Sequence, residues 1–229
     1  MKKETFVLLE NYMLSCMQDS AHDPAHIYRV LCHALAIADT EPETDRDVLV
    51  AACLLHDIGR REQLDHPALC HAMVGGEKAE RFLRAHGFPA EFCVRVRGCI
   101  ETHRFRSDNP PCTLEAKILF DADKLDVTGA LGIARSLLYE GEVGDPLCHQ
   151  QADGRILDGV DDQSPCFLRE YERKLRGLYS GFYTACGAAR AKARQAAAQA
   201  FYDALTQELR DTCPPREALI RASDTASCV

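Results

Sequence analysis

Almost throughout this chain the apolar residues recur at intervals of three and four, and no stretch shows the apolar-polar alternation of a half-buried strand. Because an α-helix completes a turn every 3.6 residues, that spacing puts the apolar side chains on one helical face. Phe6, Leu9, Met13 and Met17 form such a face over residues 5–17. A second helix is predicted from Pro24, which suits a first helical turn, to about Asp39, with Asp23 as its N-cap. His26, Val30, His33 and Ile37 share its face. Asp45 or Thr44 caps a third helix, on which Leu49, Ala52, Cys53 and His56 lie together, and Gly59 is expected to end it.

Residues 60–69 read as a loop, 72–86 and 91–103 as helices, and 107–111 as a loop. Thr113 caps a helix expected to run through Asp123 to Tyr139. Residues 141–162, rich in Gly and Asp, read as a long loop. Residues 165–210 are again helical, and their Ala-rich part needs no special function because Ala is the best helix former. The end from Asp211, with Pro214 and Pro215, is expected to fray. The expected fold is all-α, with a core and N-terminal helix over 1–140 and a loop with a helical extension over 141–229 packed on the same domain.

Charge narrows the partners. Lys and Arg number 27 against 35 Asp and Glu, a net charge of -8. A chain that repels phosphates on average is poorly suited to general nucleic-acid or anionic-membrane binding. Any phosphate it handles must be held locally. Twelve cysteines include no CxxC pair, and Cys53 stands in an apolar run, so reduced thiols in a cytoplasm are expected. Phe6–Leu9 is too short for a secretory h-region, and the apolar run 48–55 is far short of the roughly 18 residues that cross a bilayer.

The chemistry lies in His and Asp residues at positions that would otherwise be apolar. His56-Asp57 follows four apolar or thiol residues in ACLLHDIG, at the end of a helix read as buried. Two ionisable groups there need partners. Imidazole with carboxylate suits Mn, Fe, Co or Zn, with Mg possible. In KILFDADKLDVTGALG, residues i and i+3 share a helical side while i and i+2 diverge. Asp123 therefore groups with Leu119, Asp126 and Val127, and Asp121 with Lys117 and Leu125. That phase makes Asp123 the better inward carboxylate, with Lys124 beside it as a phosphate contact. His22-Asp23 also spells HD, but it precedes Pro24 and reads as capping and loop. His33, His66, His86 and His149 carry no assigned role.

His26, His56-Asp57 and Asp123 in this order, within HDPAHIYRVLCHALAIA, LLHDIGRRE, HAMVGGEKAERFLRAHGF, CIETHRF and LEAKILFDADKLDVTGALGIAR, resemble the HD-domain metal-dependent phosphohydrolase superfamily. The similarity is to a bacterial single-domain subgroup, some of whose members act on nucleotides, and it covers about residues 20–210. The resemblance implies an all-α HD-domain bundle with a divalent metal held by His26, His56, Asp57 and Asp123. It puts Lys124 where related nucleotide hydrolases place a phosphate-binding Lys, and Arg29, one turn from His26, could face the phosphates. His71 and His103 correspond to residues that bind a second metal in some members and serve as catalytic or substrate-contacting groups in others. The implied activity is hydrolysis of a phosphate ester or anhydride of a small molecule, a nucleotide first of all. Two alternatives stand beside it: a di-iron oxygenase using the six-ligand set, and a module that senses a nucleotide without turning it over. His56→Ala and Asp57→Ala are each expected to abolish metal-dependent hydrolysis, and near-normal activity and metal content in either variant would remove the pair from the site.

Overall fold

The computed structural model describes residues 1–17, 24–104, 109–157, 159–160 and 163–224. Asp23 and His22, and residues 107–108 of the expected loop, lie outside the described residues. The Asp45 side chain accepts hydrogen bonds from the amides of Asp47 and Val48, at 3.1 and 3.2 Å, and so starts α3 (Arg46–Leu55). Every residue from Val48 to Leu55 is buried. A helix apolar on all sides is stable only in an interior. The elements around α3 are α1 (Lys3–Cys16), α2 (Pro24–Ala38), α5 (His71–Ala85), α6 (Ala90–Glu101) and α7 (Leu114–Asp126). Around it α5 pairs with α6 and α2 with α7. Arg95 on α6 donates to Asp45 at 2.7 Å, and Glu115 on α7 accepts from the Asp45 amide at 2.9 Å, so the cap also ties three helices together.

Two boundaries differ from the sequence reading at this core. Gly59 does not end α3, which stops at Leu55 with His56 as its C-cap. Gly59 instead precedes α4 (Arg60–Asp65), a short helix where a loop was expected. No residue of α4 is buried, so no apolar period betrays it. Gly59 is required for space: a Cβ there would meet the His71 carbonyl oxygen at 2.3 Å and the Gly75 nitrogen at 2.6 Å. The helix expected from Thr113 to Tyr139 is also broken. It ends at Asp126, and α8 (Gly129–Val143) begins with Gly129 at φ +69°, a left-handed conformation that glycine tolerates.

Among the described residues the chain forms two compact units, Met1–Asp126 with Phe182–Ala189, and Val127–Gly181 with Arg190–Val229. These bounds differ from the expected division at residue 140. The second unit contains α8, an antiparallel pair β1 (His149–Gln150) and β2 (Ile156–Leu157), α9 (Phe167–Arg173), a 3-10 turn (Leu175–Gly177), most of α10 (Ala185–Thr212) and α11 (Arg216–Asp224). Its core gathers Ile133, Phe167, Leu168, Tyr171 and Ala198 with Tyr202, whose ring stacks on Tyr171 at 3.9 Å. The expected loop over 141–162 thus includes the end of α8 and a hairpin, and the expected frayed end carries α11. Among the described residues the chain is all-α apart from that hairpin. The described cysteines are free thiols, with Cys53, Cys93, Cys99 and Cys166 buried. No described helix is long and apolar enough to cross a membrane.

Gly59→Ala is expected to lower stability by about 1–3 kcal/mol, the usual cost of overpacking. Urea unfolding of the variant checks this, and an unchanged midpoint would show that the approach of α5 to this turn is slack.

Candidate metal centre

Because α3 is buried to its last residue, the two residues that follow it enter the interior: His56 is 0% and Asp57 4% exposed. His26 comes from the first turn of α2, His71 opens α5, His103 follows α6, and Asp123 lies in the last turn of α7. The fold brings all six together. His26, His56 and Asp123 form one group of possible ligands, and Asp57, His71 and His103 another. In the first, His26 Nε2 lies 3.4 Å from His56 Nε2 and 3.3 Å from Asp123 Oδ1. In the second, His71 Nε2 and His103 Nε2 are 3.2 Å apart and lie 3.4 and 3.6 Å from Asp57 Oδ1. Asp57 faces both groups, for its Oδ2 is 3.7 Å from Nε2 of His26 and of His56.

The other ring nitrogens explain this orientation. His56 Nδ1 meets the Cys53 carbonyl at 2.8 Å, and His103 Nδ1 meets the Ile100 carbonyl at 2.6 Å. A carbonyl oxygen can only accept, so each Nδ1 carries the proton and donates it. His71 Nδ1 donates to Gln63 Oε1 at 2.6 Å and His26 Nδ1 to Asp126 Oδ2 at 2.7 Å. A neutral imidazole fixed in this way offers a bare Nε2, the state in which it ligates a metal. Two Nε2 atoms facing each other at 3.2–3.4 Å repel unless a proton or another positive charge lies between them. Asp57 Oδ1 is also buried, with an ion pair to Arg60 Nε at 3.0 Å but no hydrogen bond of good geometry. Nitrogen and carboxylate donors so arranged fit a divalent cation.

Electrostatics follow from burial and carboxylates. Burial pushes His56 down to about 4 and His71 down to about 2, keeping both neutral at pH 7. Burial also opposes charge on His26, but hydrogen bonds to Asp123 and Asp126 outweigh it and raise the ring to about 9. Burial disfavours ionised Asp57 and Asp123 as well. Their neighbours reverse this, His56 and Arg60 for Asp57 and His26 for Asp123, so both carboxyls are held below the usual range. Asp123 alone among the six side chains is part-exposed, at 25%, which puts the opening of the site on its side.

The remaining residues singled out in the sequence take distinct places. Arg29 donates through Nε and Nη2 to the two oxygens of Asp126, at 2.7 and 3.2 Å, and so braces the carboxylate that orients His26. Lys124 lies 4.9 Å from the Phe182 ring centre and 5.7 Å from that of Phe120. Asp121 is fully buried and faces away from the imidazoles. It accepts from the Tyr183 and Thr184 amides and from Thr184 Oγ1, the last at 2.6 Å. The sequence reading missed three supporting residues. They are Asp126 behind His26, Gln63 behind His71, and Arg60, whose Nε pairs with Asp57 Oδ1 at 3.0 Å. Only Asp126 left a signal, three residues after Asp123 on the same helical side.

A family model described as HD domain matches residues 25–128. The chain is 30% identical over 136 residues to the Bacillus subtilis protein YpgQ, described as uncharacterized, a match of 56% of this chain and 61% of that protein. It is also 30% identical over 115 residues to the 3'-5' exoribonuclease YhaM of Bacillus velezensis, a match of 44% of this chain and 37% of that enzyme. These matches therefore span less than two thirds of either relative. Among solved structures, that of Bacillus subtilis YpgQ in complex with ADP superposes with a TM-score of 0.67 at 26% identity, covering 87% of this chain and 97% of that one. An HD superfamily hydrolase from an uncultured Thermotogales bacterium gives a TM-score of 0.59 at 27% identity, covering 87% and 90%.

Asp126→Asn, which keeps the shape but weakens the acceptor behind His26, is expected to lower metal affinity about 10–100-fold. Asp121→Asn is expected to lower the thermal midpoint while leaving metal stoichiometry unchanged. Metal analysis and thermal denaturation of the two variants separate these effects. Loss of metal from Asp121→Asn alone would reverse the assignment of the two carboxylates.

Proposed function

We propose, from the premise that the chain belongs to the HD superfamily through the domain at residues 25–128, that it is a metal-dependent phosphohydrolase acting on a nucleotide. The observation that carries this reading is the set of four imidazoles, each tied down at Nδ1 and presenting Nε2 to Asp57 or Asp123. His26, His56, Asp57 and Asp123 would hold a divalent ion, for which Mn, Fe, Co or Mg are the first candidates and Zn a further one. Asp57 Oδ1 with His71 and His103 would hold a second. Such an ion, when bound, lowers the pKa of water toward about 7 and offsets the charge of a phosphoryl oxygen.

The protein's own part is binding and orientation. Asp57, shared by both groups, fixes their separation. Arg60 at its flank and Lys124 beside Asp123 supply cations that a phosphate chain would meet at the part-exposed side of the site. With an overall charge of -8, these local cations are what would draw an anionic substrate in. The ADP complex of YpgQ supports a nucleotide as the substrate class. The two-group geometry favours one other reading, a di-iron oxygenase, which needs the same six ligands.

The test is metal analysis of the purified protein, followed by phosphate and pyrophosphate release from nucleoside triphosphates with Mn, Fe, Co and Mg in turn. Two ions per chain and release from a nucleotide are expected. One ion per chain would withdraw the second site and leave His71 and His103 as proton-handling groups. Oxygen consumption without phosphate release would replace the hydrolase by the oxygenase. Lys124→Ala is expected to keep the metal and raise KM. A fall in kcat as well would place the Lys on the transition state, and loss of metal would remove it from the substrate side.

A further inference from the structure

Asp121 is a fully buried carboxylate that faces none of the imidazoles. Burying a charged group is costly unless fixed donors satisfy it. Here the donors are two consecutive amides and a hydroxyl from a turn more than sixty residues further along the chain: Tyr183 N at 2.9 Å, Thr184 N at 2.7 Å and Thr184 Oγ1 at 2.6 Å. The Thr184 hydroxyl also accepts from Gly187 N at 3.0 Å in the first turn of α10. A Cβ on Gly187 would stand 2.6 Å from Asp121 Oδ2, so the helix start is pressed against the carboxylate. The clamp fixes the residue next to it, Phe182, which is half-buried and sets its ring 4.9 Å from Lys124 Nζ. Phe120 and Tyr183 pack edge to face at 5.0 Å beside it. Lys124 adjoins Asp123, and Asp123 is the part-exposed member of the metal-ligand set.

We infer that Phe182, held by the Asp121 clamp, is the platform on which the planar base of a nucleotide stacks, and that it determines selectivity for base-bearing over base-free polyphosphates. The inference rests on the phosphohydrolase reading and deepens it. A half-buried ring with a cation over it and a phosphate-binding centre next to that cation matches a ligand that carries a flat π-system and an anion in one molecule. Aromatic stacking tolerates any base, so the platform selects for the presence of a base and not for its identity. Asp121 acts as a positioning residue, through the turn and not on the substrate.

The experiment measures dissociation constants of ATP and of inorganic tripolyphosphate by calorimetry, on the metal-loaded parent protein and on Phe182→Ala, Phe182→Leu and Phe182→Tyr. The parent is expected to prefer ATP. Phe182→Ala should weaken ATP by about 5–100-fold, as loss of one base–aromatic stack does, and so collapse the preference. Phe182→Tyr, which keeps the ring, should restore it. Phe182→Leu keeps apolar bulk without the ring and carries the comparison if the alanine variant does not fold. Equal weakening of ATP and tripolyphosphate, or no weakening of either, overturns the platform. A parent that binds both equally overturns it too, while phosphate hydrolysis as such still stands. A parent that binds neither takes down the phosphohydrolase reading and this inference with it.

Discussion

Four buried imidazoles that turn Nε2 toward one another and toward two carboxylates can share a protein interior only if positive charge lies among them, whether a proton on His26 or a bound cation. The backbone imposes that demand, because the Cys53 and Ile100 carbonyls admit only the Nδ1-protonated form of His56 and His103. Asp126 and Gln63 meet Nδ1 of His26 and of His71 from side chains. Asp57 and Asp123 supply the negative counterpart. The centre therefore has the donors and the geometry to accept a cation.

The requirement is met because α3 is buried along its length. A helix with one solvent face would have delivered His56-Asp57 to the surface, where water would satisfy them and nothing would converge. With Val48 to Leu55 enclosed, the chain leaves the helix inside the bundle, and α2, α5, α6 and α7 or their ends each bring one candidate side chain to the same point. Gly59 then lets the backbone pass against α5, which keeps His71 within reach of Asp57.

How much of this the sequence displays depends on the distance over which each residue acts. His56-Asp57 is legible because the apolar run before it has no solvent face. Helical phase separates Asp123 from Asp121, which do meet different neighbours, but it ranks Asp123 as the more inward of the two, whereas Asp121 is fully buried and Asp123 is 25% exposed. The capping role of Asp45 is local, and the structure has it in place. Asp126 and Arg29 act on His26 and on each other across about a hundred positions, so neither announces its partner. The α4 segment is helical through its own backbone and two tertiary contacts, Lys78 Nζ to the Ile58 carbonyl and to Glu62, and its five polar residues with the lone Leu64 show no period. The break at Val127–Thr128 interrupts a stretch whose composition is helical on both sides, and only the positive φ of Gly129 marks it.

The clamp on Asp121 also orders events in time. Its donors lie 62 and 63 positions downstream, beyond the whole of α8, the hairpin and α9. A ribosome adding about 5–20 residues per second would expose the segment up to Asp126 several seconds before Tyr183 and Thr184 are made. During that interval the α1–α7 segment carries a carboxylate whose donors from the turn are not yet made, so water must solvate it. The turn at Phe182–Thr184, and with it the wall beside Lys124, cannot form before that later segment is synthesised.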